Sequence, residues 1–180
     1  TRPRPEWLGE LVATAAAQPA DVAAVAGLIV DWEGERLDFG RGVMTFDGHA
    51  FQLDHRRRLA AATLPAPGEE LPFPCGGNML VRRESFFAAG GFDPDYFAYF
   101  EDVDLGWRLW VLGERVLYVP TAVAYHRHRG SGMDPARWRF LLERNALATL
   151  MKNYDDANLA VVLPAARVML DARATLAAGA

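Results

Sequence analysis

Three carboxylates fall in four positions at Glu101-Asp102-Val103-Asp104, directly after the aromatic run Tyr96, Phe97, Tyr99 and Phe100. Leu105, Leu109 and Leu112 follow at helical spacing and Gly113 stops the pattern, which puts the acids in the first turn of a helix over about 101–112. Acids in a first turn complement the helix dipole and the free N–H groups. A carboxylate that faces a pocket floored by aromatics also has the chemistry of a general base, because partial burial lifts its pKa toward neutrality. The residues alone leave both roles open.

A second set stands at His126-Arg127-His128-Arg129, before Gly130-Ser131-Gly132. A histidine at a strand end serves as a structural group, a solvated one or a metal ligand. His-X-His suits zinc, but no cysteine or third histidine lies nearby to complete a zinc site. Arg127 and Arg129 read as a solvated basic loop or as a clamp for a phosphate group, since a guanidinium grips phosphate with two donors. Gly76-Gly77 serves a tight turn, or lets a ligand approach the backbone closely. Trp107 is first a packing residue of its helix, and second a candidate wall for a bound molecule. Cys75 reads as structural.

These groups need a scaffold, and the rest of the chain supplies one. Pro5 stands where a first helical turn tolerates it, and Trp7, Leu8, Leu11, Val12 and Ala15 predict a helix over about 6–18. Val22 to Val30 is an apolar run of strand length. Arg36 to Phe51 predicts irregular hairpins, and the four prolines between Ala61 and Pro74 predict a loop. Then come a short strand at 78–81, a short helix at 83–89 stopped by Gly90-Gly91, and the acidic helix. Strands are expected at 115–119 and 121–126 around Pro120, then a helix capped by Asp134 and running to Asn153, and a last helix near 159–177. The pattern is mixed α/β with a helical tail.

Composition removes several classes of function. At 180 residues with 51% hydrophobic side chains, the chain can bury one real core. A net charge of -4 with one basic triple, Arg56-Arg57-Arg58, is no footprint for nucleic acid. A single cysteine excludes an internal disulfide framework and suits a reducing, cytoplasmic setting. No stretch reaches the roughly 18 apolar residues of a spanning helix. Arg137, Arg139, Arg144 and Lys152 among the tail's leucines fit a packed amphipathic helix, or one resting on the anionic inner face of a membrane.

Taken in order, Cys75-Gly76-Gly77-Asn78-Met79-Leu80-Val81-Arg82-Arg83, Gly90-Gly91-Phe92-Asp93, Glu101-Asp102-Val103-Asp104-Leu105-Gly106-Trp107-Arg108, Tyr118-Val119-Pro120 and Ala124-Tyr125-His126 resemble the second half of the catalytic domain of family 2 glycosyltransferases. Among these, the string looks most like bacterial transferases that add rhamnose or related sugars to cell-surface polymers. The resemblance implies a partial GT-A fold, a mixed sheet with flanking helices, over residues 1–133, with a helical extension over 134–180. It implies inverting transfer from a nucleotide-diphospho-sugar donor to a glycan or lipid-linked acceptor. Asp102 matches the base that deprotonates the acceptor hydroxyl, and Glu101 matches the neighbour that holds the acceptor. Gly76, Gly77, Asn78 and Trp107 are expected on the acceptor side, and Arg127 and Arg129 at the leaving diphosphate. His126 matches a ligand to Mn2+ or Mg2+. The carboxylates of that metal site belong to an Asp-X-Asp-like motif in the preceding half, and Thr1 to Trp7 resembles the segment just after it. The chain is therefore expected to be a fragment, inactive in isolation. A non-catalytic carbohydrate-binding module that keeps the fold is the rival expectation.

Overall fold

Val22-Ala23-Ala24-Val25-Ala26-Gly27-Leu28-Ile29-Val30-Asp31 is buried at every position, so it has no solvent face and must be a central strand. The computed structural model describes residues 1–127 and 132–178. In chain order the elements are β1 (Arg2–Pro3), α1 (Trp7–Ala17), β2 (Val22–Asp31), β3 (Leu37–Phe39), β4 (Gly42–Met44), β5 (Ala50–Gln52), β6 (Glu70–Leu71), β7 (Met79–Val81), α2 (Arg83–Ala88), α3 (Glu101–Val111), β8 (Arg115–His126), α4 (Pro135–Asn153) and α5 (Asp156–Ala178).

A six-stranded mixed sheet forms around β2 and β8, which run parallel. On the far side of β8 lie β1 and β6, and on the far side of β2 lie β3 and β7, all antiparallel to their partners. A separate hairpin pairs β4 with β5. On one face, Leu11 of α1 packs with Val22, Val25, Leu117, Val119 and Ala122. On the other, Leu105 and Leu109 of α3 join Phe39, Phe73, Tyr96, Phe100 and Tyr118 in the larger core. This burial supplies the main drive for the fold, at about 25 cal/mol per Å² of apolar surface.

The expected elements are present, with two corrections. The strands anticipated on either side of Pro120 are one strand, β8. Its register with β2 slips there, from Gly27 opposite Val119 to Leu28 opposite Val123, so a proline without an N–H sits where the ladder is already interrupted. The proline-rich stretch read as loop also contains β6, whose two residues pair with Leu117 and Val116. Among the described residues no helix is long and apolar enough to cross a membrane.

Candidate active site

Asn78 shows how the sheet carries the site. Its carboxamide donates to the carbonyls of Leu28 (2.9 Å) and Ala122 (2.8 Å), bridging β2 and β8 where their register slips. Its oxygen accepts from the indole N–H of Trp7, and its own carbonyl accepts from Gly27 N–H at 3.0 Å. A Cβ on Gly27 would lie 2.1 Å from the Ala122 oxygen, so only glycine fits. With 1% exposure and both ends of its side chain engaged, Asn78 is a buried staple between strands. That corrects its expected place among the acceptor contacts. Its position two residues after Gly76 nonetheless fixes the turn that carries the glycines.

The acidic helix turn is built from strained backbone. Phe97, Tyr99 and Phe100 have φ of 61°, 68° and 70°, left-handed values that no glycine relieves. Each costs about 1–2 kcal/mol for an L-residue. Phe100 is the N-cap of α3 and supplies no side-chain acceptor, which leaves the first turn to its three acids.

The three acids have different surroundings. Asp104 is fully buried and satisfied: Arg108 donates to Oδ2 from Nε (2.9 Å) and Nη2 (2.7 Å), Lys152 donates to it at 3.0 Å, and Asn153 donates to Oδ1 at 2.9 Å. The structural reading of the acidic cluster belongs to this residue. Asp102 is half-buried; its Oδ2 accepts from Gly76 N–H at 2.8 Å and its Oδ1 from Val103 N–H at 2.9 Å. Burial, followed by the adjacent Glu101 charge, pushes its carboxyl up to about 6, against the pull of those N–H donors. Glu101 Oε2 is shielded from solvent and has no hydrogen-bond partner. A Cβ on Gly76 would stand 3.5 Å from Asp102 Oδ2 and 3.6 Å from Glu101 Oε1, so this glycine leaves both carboxylates uncovered on its side. Gly77 instead meets Ile29 and Cys75, at 3.2 and 3.8 Å from the same construction.

Cys75 feels this pair of acids and Asp38 of β3 together. Its thiol is pushed far up, by burial first and then by the charges of Asp102, Asp38 and Glu101. Asp38, on β3, accepts a 2.6 Å bond from Nδ1 of His126. The charges of the α3 carboxylates and of Asp38, the partner of the His126 imidazole, therefore all act on one thiol. His55 Nδ1 also lies 3.6 Å from Asp38 Oδ1 and 3.2 Å from its carbonyl oxygen. Neither Asp38 nor His55 was singled out in the sequence. The signal for Asp38 was an acid between two buried apolar residues of a strand, Leu37 and Phe39.

The remaining candidates divide. Arg127 is exposed, with its guanidinium 4.7 Å from the Trp32 ring centre, and Arg2 lies over Trp32 and Tyr125 at 4.8 and 4.6 Å. Arg129 and His128 lie outside the described residues. Trp107 is half-buried, edge-on to Tyr154 at 5.0 Å, and lines an aromatic groove of about 290 Å³ with Phe46, Pro72 and Trp110. Among the described residues no group of three histidine, cysteine or carboxylate side chains could hold a metal ion. His126 offers a single donor, and these residues by themselves do not fit a Mn2+ or Mg2+ site.

Comparison with known proteins completes the description. The chain matches "Glycosyl transferase family group 2" over residues 1–144. It is similar to the N-acetylglucosaminyl-diphospho-decaprenol L-rhamnosyltransferase of Mycobacterium tuberculosis (strains CDC 1551 / Oshkosh and H37Rv), with 52% identity over 62 residues. That match takes in 34% of this chain and 20% of the relative. Rhamnosyltransferase WbbL of Escherichia coli (strain K12) is 37% identical over 92 residues, 45% of this chain and 34% of the relative. The chain thus spans about a fifth to a third of the lengths of these relatives. Among solved structures, GalNAc-T7 with UDP, GalNAc and Mn2+ superposes with a TM-score of 0.53 at 19% identity, over 83% of this chain and 29% of that one. The fold is that of the GT-A glycosyltransferases.

Proposed function

The chain belongs to glycosyl transferase family group 2, and on that premise we propose that it carries the acceptor side and the general base of an inverting sugar transferase. The donor in this reading is a nucleotide-diphospho-sugar, with rhamnose or a related sugar favoured by the relatives' names. The acceptor is a glycan or a lipid-linked sugar, as the decaprenol-linked substrate in one relative's name suggests.

The observation that carries the reading is the Asp102 carboxylate, half-buried, held by Gly76 N–H and raised to about 6. Sugar hydroxyls are poor nucleophiles until a base takes the proton as the new bond forms. Asp102, ionised above its pKa, accepts the acceptor's hydroxyl proton. The oxygen attacks the anomeric carbon in line, the bond from that carbon to the diphosphate oxygen breaks, and the nucleoside diphosphate leaves with inversion. Glu101, with one oxygen unpaired, is assigned to the acceptor's hydroxyls. Gly76 gives them access, Gly77 shapes the turn, and Trp107 provides an apolar wall against a ring face. Arg127 and Arg129 are assigned to the departing diphosphate. A divalent cation, Mn2+ or Mg2+, would take one ligand from His126 and need its carboxylates from outside the described residues. A place in cell-surface polysaccharide synthesis, on the cytoplasmic side of the membrane, follows from such an acceptor.

Asp102→Asn in the full-length gene product tests the assignment. The variant keeps the shape and loses the base, so transfer should fall by about 10²-fold or more, with donor binding unchanged. Transfer at near wild-type rate would reject it, and would favour a carbohydrate-binding role for the fold.

A further inference from the structure

Three polar residues of α4, Arg144, Asn145 and Thr149, are turned to the segment before the base. Asn145 is fully buried in α4, and its carboxamide N–H groups donate to the carbonyls of Tyr96 (3.1 Å), Ala98 (2.8 Å) and Tyr99 (2.6 Å). Its Oδ1 accepts from Arg144 Nε at 2.8 Å, and Arg144 Nη2 donates to the carbonyls of Asp95 (2.7 Å) and Tyr96 (2.8 Å). One helical turn on, Thr149 Oγ1 meets the Tyr96 hydroxyl at 2.9 Å. Two adjacent side chains thus gather four carbonyls of one short loop.

That loop contains the left-handed residues Phe97, Tyr99 and Phe100. Left to itself, such a backbone relaxes to right-handed or extended angles. Phe100 is the N-cap of α3 and Asp102 is its second residue, so a flip at Phe100 swings the carboxylate away from Gly76. We propose that Asn145, oriented by Arg144, is a positioning residue for the Asp102 carboxylate, holding the loop in the one conformation that aims the first turn of α3 at Gly76. This rests on the reading of Asp102 as the base. It gives the tail a part in catalysis although no residue of α4 touches the reacting atoms.

The test compares Asn145→Ala, the isosteric Asn145→Asp, Arg144→Ala and a control, Thr149→Val, in the full-length gene product. Thr149→Val removes one bond to the same loop and leaves its carbonyls gathered. The readouts are kcat, the KM for the nucleotide-sugar, and Tm. Both Asn145 variants should lose kcat by about 10- to 100-fold, the range set by misplacing a reacting group by about 1 Å, with donor KM within about twofold. Arg144→Ala should lose about 3- to 10-fold and covers the case in which Asn145 variants fail to fold. The control should keep kcat within about twofold. Folded Asn145 and Arg144 variants with wild-type kcat, or a control that loses as much as they do, would overturn the proposal. Asp102→Asn is run alongside: if it is inactive while the Asn145 variants are normal, only the positioning role fails; if it is active, the base assignment fails and this role with it.

Discussion

Replacing Asn78 by alanine removes a staple that holds two buried backbone carbonyls. Three groups lose their partner: the carbonyls of Leu28 and Ala122 and the indole N–H of Trp7. A buried polar group left unsatisfied costs about 1–3 kcal/mol. The half-buried Trp7 indole can turn to water, so the two buried carbonyls set the loss at about 2–6 kcal/mol. A domain of this size has about 5–15 kcal/mol in all, so the loss is a large share of its stability. Urea unfolding followed by far-UV circular dichroism at pH 7 reads it directly, as a lowered midpoint with an unchanged slope. A loss below about 1 kcal/mol would refute the staple. So would a variant with normal stability and a raised acceptor KM, which is what a binding residue would give.

Two further outcomes follow from the same geometry. Gly76→Ala places a methyl at ordinary contact distance from both carboxylates, and its backbone needs no left-handed angle. It should therefore cost less than about 0.5 kcal/mol in stability while lowering kcat/KM for the acceptor by about tenfold; an unchanged kcat/KM would put the acceptor elsewhere. Asp102→Asn should stabilise the fold at neutral pH. The carboxyl rises from 3.8 to about 6 on folding, so its contribution favours the fold below about 4 and is lost as pH rises through about 6. After screening for its partial exposure, the gain at pH 7 is about 1–2 kcal/mol and shrinks toward pH 4. Urea midpoints at the two pH values check it, and a variant less stable at pH 7 would contradict it.

The order of elements was legible because each carries a local signal. The apolar run of β2, the leucine spacing of α3 and the Asp134-Pro135 start of α4 were enough to place them. The acidic cluster was legible as a place, but which of its acids is structural was not. That depends on Arg108 one turn away and on Lys152 and Asn153 some fifty positions later. Asn78 is expected on the acceptor side from the resemblance, and its bridging role is not legible because the Leu28 and Ala122 carbonyls it holds are brought together by a register slip between distant strands. The β6 strand was hidden for a related reason: Glu70 and Leu71 have no pattern of their own and are strand only because β8 offers an edge. Likewise, Arg144 reads as one more basic residue of an amphipathic helix and Asn145 carries no sequence signal, because the loop carbonyls they gather lie some fifty positions earlier.

The central claim is that the carboxylate at position 102 takes the acceptor's proton, and the pH dependence of kcat in the full-length gene product tests it most directly. The rate should climb with pH through one ionisation near 6 and stay level above it, because only the ionised form can accept a proton. Asp102→Asn should leave a residual rate without that ionisation. If the variant keeps the same break near 6 and a comparable rate, another group is the base.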